Sequence, residues 1–128
     1  MRVTIEKIIK NIENGYKVYF SNQYGNATAI WNGDKPLISK EYYAEIEVTG
    51  VLIWEKDIFK SDKINRIEEL ENGKVGLYGV LESIEDDGYA VVRIGDSILA
   101  IETQDIPLKI NSCVMVSAEN ILLYKVDY

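Results

Sequence analysis

Carboxylates are the most concentrated reactive groups in this chain. Glu82, Glu85, Asp86 and Asp87 fall within six positions, and Asp96 lies close behind them. Asp86-Asp87 is an adjacent pair in a turn, whereas glycosidase and metal sites need acids converging from separate strands. Cation binding at Glu85, Asp86, Asp87 and Asp96 is therefore a minor reading, and no metal site is assigned. Two uses of the cluster stay open. One is a negative patch that steers a cationic partner; the other is a solvated acidic hairpin that keeps the molecule soluble. Nucleophilic chemistry has little to work with: the single cysteine, Cys113, lies in an apolar run, and the chain has no histidine to activate it. Gly76 and Gly79 sit inside a strand-like segment and do not form a phosphate loop ahead of a helix. No catalytic residue and no cofactor is expected, and the chain reads as a non-enzyme.

Aromatic side chains are the second group able to bind. Nine of the thirteen fall in residues 1–60, among them Tyr19, Tyr24 and Trp31, and aromatic rings can stack on sugars or bases. Barrel cores are themselves aromatic, so Trp31 has the stronger claim as a core or interface residue and the lesser one as a stacking platform. Charge is skewed the other way. Residues 1–60 carry 8 Lys+Arg and 8 Asp+Glu, while residues 61–128 carry 6 and 13, so the second half holds the whole net charge of −7. Such a balance disfavours nucleic acid, which demands a cationic surface. No apolar run exceeds four residues, as in Val51-Leu52-Ile53-Trp54. A spanning helix needs about 20, so no membrane segment is expected and the chain reads as cytoplasmic.

These residues must be positioned by short strands, and the strands repeat. Ile9-Lys10-Asn11-Ile12-Glu13-Asn14-Gly15-Tyr16 lies against Leu81-Glu82-Ser83-Ile84-Glu85-Asp86-Asp87-Gly88-Tyr89; Asp34-Lys35-Pro36-Leu37 against Asp105-Ile106-Pro107-Leu108; and Val51-Leu52-Ile53-Trp54 against Ile121-Leu122-Leu123-Tyr124. Alternating apolar residues punctuated by Gly, Asn, Asp and Pro predict five strands per repeat. They are 3–12, 16–21, 27–31, 42–48 and 51–58, then 75–84, 89–94, 97–102, 113–118 and 121–126. In each repeat the first hairpin glycine, Gly15 or Gly88, is expected to take the positive-φ position of the turn. Residues 61–73 form a linker read equally as a short helix, stopped by Asn72-Gly73, or as a hairpin strand.

Five antiparallel strands in fewer than 60 residues resemble the OB fold, a small Greek-key barrel, with an SH3-like barrel as the nearest competitor. The pattern is also similar to short uncharacterised bacterial proteins made of two small barrels. The expected architecture is all-β: two tandem five-stranded barrels related by internal duplication, 1–60 and 74–128. Within the second, Ile98 and Ala100 are opposed by Leu99 and Ile101, Cys113 and Met115 by Val114 and Val116, and Tyr89 and Val91 by Ala90 and Val92. Strands apolar on both sides are expected to be covered on both, by the first repeat or in a homodimer. The leading expectation is a protein-interaction module whose acidic second barrel, through Glu82, Glu85, Asp86, Asp87 and Asp96, docks a basic protein partner, as an immunity-type inhibitor would. Alternatives are a small-ligand or oligosaccharide-binding barrel using Tyr19, Tyr24 and Trp31 and, more weakly, single-stranded nucleic-acid binding.

Overall fold

Period-two patterning carries through to the backbone. A computed structural model describes residues 1–127, and among them only strands and turns occur. The strands are β1 (Arg2–Ile12), β2 (Gly15–Asn22), β3 (Gly25–Asn32), β4 (Glu41–Val48), β5 (Val51–Ile53), β6 (Ile58–Lys60), β7 (Arg66–Glu69), β8 (Val75–Ile84), β9 (Tyr89–Ile94), β10 (Ser97–Gln104), β11 (Cys113–Ala118) and β12 (Ile121–Lys125). β4 illustrates the rule: Tyr42, Ala44 and Val48 are buried while Tyr43, Glu45 and Glu47 are exposed.

Five strands close a barrel in the order β1-β2-β3-β12-β4 and back to β1. Irregularities between Ile5 and Lys7 and between Ile8 and Lys10 bend β1, so that its start pairs with β4 and the rest with β2. β12 lies parallel to β3, with Leu123 opposite Trp31, and antiparallel to β4, with Leu123 opposite Ile46. Trp31 is only 2% exposed; its ring packs on Tyr42 at 4.8 Å and its indole N–H donates to the Asp34 carbonyl. At the first hairpin the structure differs from expectation, because Asn14 takes the positive φ, at 67°. Gly15 has another duty there: a Cβ would press into the Trp31 carbonyl. Gly88 does take the positive φ of the second hairpin, at 92°.

The other strands attach to this barrel. β8, β9 and β10 form a meander, and β11 pairs with β8 along its length. β5 lies parallel to β10 and β6 antiparallel to β11. The predicted strand 51–58 is thus interrupted at Trp54–Asp57, where Glu55 adopts φ 72° and the Asp57 carboxylate accepts the Ile53 N–H. Trp54 is anchored by its indole N–H, which donates to Thr103 Oγ1; that hydroxyl donates in turn to the Gly88 carbonyl. Both segments expected as a fifth strand therefore pair with strands of the other half of the chain, β12 with β3 and β4, and β5–β6 with β10 and β11.

The linker resolves as a strand. Ile67 is buried, β7 pairs with β8 through the Leu70–Lys74 turn, and its Ile67 N–H donates to the Tyr24 carbonyl. A helix would have stacked Glu68, Glu69 and Glu71 at its negative end. Two-sided burial, expected in β9, β10 and β11, occurs at the end of β11, where Val116, Ser117 and Ala118 are all buried, and in β8, where Val75 to Gly79 are. In β10, Leu99 and Ile101 are buried but Ile98 is 58% exposed and Ala100 is exposed too, so that strand has one wet face. Tyr89 is likewise exposed, and Cys113 and Met115 are half-buried. A single apolar cluster runs from the closed barrel into the attached strands, from Phe20 and Leu123 to Leu81 and Val116.

Candidate functional site

The acids singled out by sequence do not share one surface. Glu82 is held by Arg93, whose guanidinium donates to both carboxylate oxygens at 2.8 and 3.0 Å. Glu85, Asp86 and Asp87 are exposed at the β8–β9 turn, where Asp87 accepts the Tyr89 N–H. Asp96 stands at the opposite end of β9 and accepts a 2.8 Å bond from the Tyr24 hydroxyl. That bond holds the Asp96 carboxyl below its ordinary value, while burial first and Asp96 second push the Tyr24 phenol up. The pair joins β9–β10 to β2–β3, beside Asn65, whose side-chain carbonyl accepts the Gly95 N–H.

The aromatic candidates are also dispersed. Trp31 faces the barrel interior and offers no ring face for stacking, which corrects its reading as a ligand platform. Tyr19 points outward, its hydroxyl donating to Asn26 at 2.6 Å and its ring covered by the Lys7 ammonium at 5.5 Å. Tyr24 is engaged with Asp96. The three do not meet: Trp31 lies inside the barrel, Tyr19 bonds to Asn26 and Tyr24 to Asp96.

Concavity lies elsewhere, between β4 and β10. Two clefts of about 450 and 370 Å³ adjoin along these strands and share Glu45, Ile46 and Ala100. Glu45, Glu47, Asp96 and Glu102 line them, with the exposed apolar groups Ile98 and Tyr89; no Lys or Arg side chain does, and the one cation in the lining is the Met1 ammonium, which donates to the Ala44 carbonyl. Among the described residues no three acids converge closely enough to hold a metal ion, so these carboxylates act as a field spread along a trough.

Backbone phase adds to this. Ala44 exchanges hydrogen bonds with Met1 on one edge of β4, and Tyr43 accepts the Val126 N–H on the other. Because strand residues alternate their edges, Ile46 and Val48 aim their N–H and C=O groups past the end of β1 and toward β10. On β10, the Thr103 N–H donates toward β9 to Gly88 while the Gln104 carbonyl accepts Trp54 on the other edge. Ile98 and Ala100 therefore aim their backbone groups back toward β4. Cα atoms of the two strands come within 8 Å, yet the strands are not paired in a ladder. The trough thus has an open strand edge along each wall.

Sequence reasoning missed this site because it weighed acidity by density. The usable signal was the outward alternation Tyr43-x-Glu45-x-Glu47 and Ile98-x-Ala100-x-Glu102, which placed carboxylates and apolar groups on wet faces without showing that those faces meet. Comparison with protein-family models, curated proteins and solved structures finds no match to the chain.

Proposed function

We infer that this chain is a non-enzymatic protein-interaction module that docks a basic partner in the trough between β4 and β10. The observation that carries the reading is a concave lining of Glu45, Glu47, Asp96 and Glu102, four carboxylates against one cation, the Met1 ammonium bonded to the Ala44 carbonyl, bordered by exposed Ile98 and Tyr89. Apolar contacts supply affinity, and the carboxylates supply orientation and attraction. The exposed Glu85, Asp86 and Asp87 extend the negative field and speed encounter. A small acidic inhibitor that masks a cationic toxin is one form such a module takes.

The scaffold fits an OB-like reading with a twist. Strands one to five run in the order 1-2-3-5-4 with three and five parallel, both in the closed barrel and in the β8, β9, β10, β5–β6 and β11 group. We read this as a duplicated unit whose two copies have traded their last strands.

Charge reversal tests the function. Glu45→Lys, Glu47→Lys and Glu102→Lys together should abolish capture of a cationic partner. Reversal of Glu85, Asp86 and Asp87 should slow association and leave dissociation nearly unchanged. Raising salt from 0.05 to 0.5 M should weaken the wild-type complex, as screening shortens the Debye length to well below 10 Å. Full affinity in the trough-reversed chain would remove the site from consideration.

A further inference from the structure

Resting on the reading of the trough as the partner site, we propose that it selects arginine, seating a guanidinium of the partner against the open edges of β4 and β10. Three features point to arginine. First, the acceptors are of two kinds and lie on both walls: carboxylates of Glu45, Glu47 and Glu102, and the edge carbonyls of Ile46, Val48, Ile98 and Ala100. A guanidinium brings five N–H donors in a rigid planar fork and serves acceptors in several directions, whereas an ammonium is a compact point charge with three donors and strong hydration. Second, the walls are too close for a strand. One paired to both edges needs about 4.8 Å on each side, and where β4 and β10 converge their Cα atoms come within 8 Å, which leaves a strand no room there. A side chain entering end-on needs only the width of its own atoms. Third, Ile98 and Tyr89 flank the acids with exposed apolar surface, which suits a guanidinium, more weakly hydrated than an ammonium and prone to stack on aromatic faces.

The experiment uses the full chain and two synthetic peptides, capped at both ends and identical except that one carries four arginines where the other carries four lysines. Affinities are measured by calorimetry at fixed salt, and backbone amide shifts locate the contact. The arginine peptide is expected to bind about tenfold more tightly, the equivalent of one charge-assisted hydrogen bond. Its largest amide shifts should fall at Ile46, Val48, Ile98 and Ala100. Glu45→Gln, Glu47→Gln and Glu102→Gln combined keep shape at exposed positions, and unchanged shifts in β1, β2 and β8 confirm the fold; this variant should bind both peptides more weakly. Equal binding of the two peptides, with both weakened in the Gln variant, would overturn arginine selection while leaving the trough as the site. Binding that ignores the Gln variant would overturn the trough itself. Absence of binding by the arginine peptide at millimolar concentration would overturn the proposal.

Discussion

Replacing Leu123 by Ala probes the barrel at the strand that arrives last in the chain. Leu123 is fully buried and stands between Trp31 on one side and Ile46 on the other. Buried Leu→Ala changes cost about 2–5 kcal/mol, more where the cavity cannot collapse. The surrounding sheet is closed and Trp31 is fixed by Tyr42 and by its bond to Asp34, so a loss of about 3–4 kcal/mol is expected. A domain of this size has about 5–15 kcal/mol in total. With an unfolding entropy of roughly 2.1 cal/mol/K per residue, the loss lowers Tm by about 11–15 °C. Thermal denaturation followed by circular dichroism measures that fall, and native-state hydrogen exchange shows where it is felt. Protection should drop in β3 and β4, far upstream in sequence, and less in β8 and β9. Leu52→Ala should show the reverse, with losses in β10 and β11. Losses from Leu123→Ala concentrated in β11, its neighbour in sequence, would refute the pairing.

Further outcomes follow from other positions. Trp31→Ala should cost about 3–5 kcal/mol and broaden amide spectra of the whole closed barrel; a fully folded, equally stable variant would contradict its core placement. Gly25→Ala should detach β7, since a Cβ there runs into the Ile67 carbonyl and φ is +142°. Loss of protection at Ile67 while β9–β10 stays intact is the signature to look for. Tyr78 is pushed up to about 12, first by burial and then by its 2.7 Å bond to Glu68. Its folded value exceeds the unfolded one, so the stabilisation is complete below pH 10 and is lost as pH climbs toward 12. Absorbance titration at 295 nm should show a tyrosine ionising together with alkaline unfolding, and Glu68→Gln should bring it earlier. Asp96→Asn should lower the titration of Tyr24 only part of the way, because burial contributes more than Asp96 does.

Much of the fold was legible because strand patterning is local. Alternation in Tyr42–Val48, and the turns at Asn14-Gly15 and Asp87-Gly88, mark the elements regardless of partner. Pairing is not local. Val51-Leu52-Ile53 and Ile121-Leu122-Leu123 present like apolar faces, so either fits beside β3 or β10, and the pattern cannot say which strand goes where. Two-sided apolarity misled for a related reason: Ile98 and Ala100 are apolar at an outward position, a composition that burial explains as readily as a binding trough does. Of the candidate site, Asp96 was read from sequence, whereas Glu45, Glu47 and Glu102 belong to a surface created only when β4 meets β10.

The placement of β12 between β3 and β4 has a consequence for biosynthesis. A ribosome adds about 5–20 residues per second, so the roughly 70 residues separating Val48 from Ile121 take about 4–15 seconds to emerge. Throughout that interval the nascent amino-terminal half waits with an unsealed wall, its apolar lining of Phe20, Trp31 and Ala44 reachable by other chains. Closure is therefore a late, long-range event, of the slow kind that non-local topology imposes. The alternating glutamates of β4 guard the waiting edge against sticking to a neighbour.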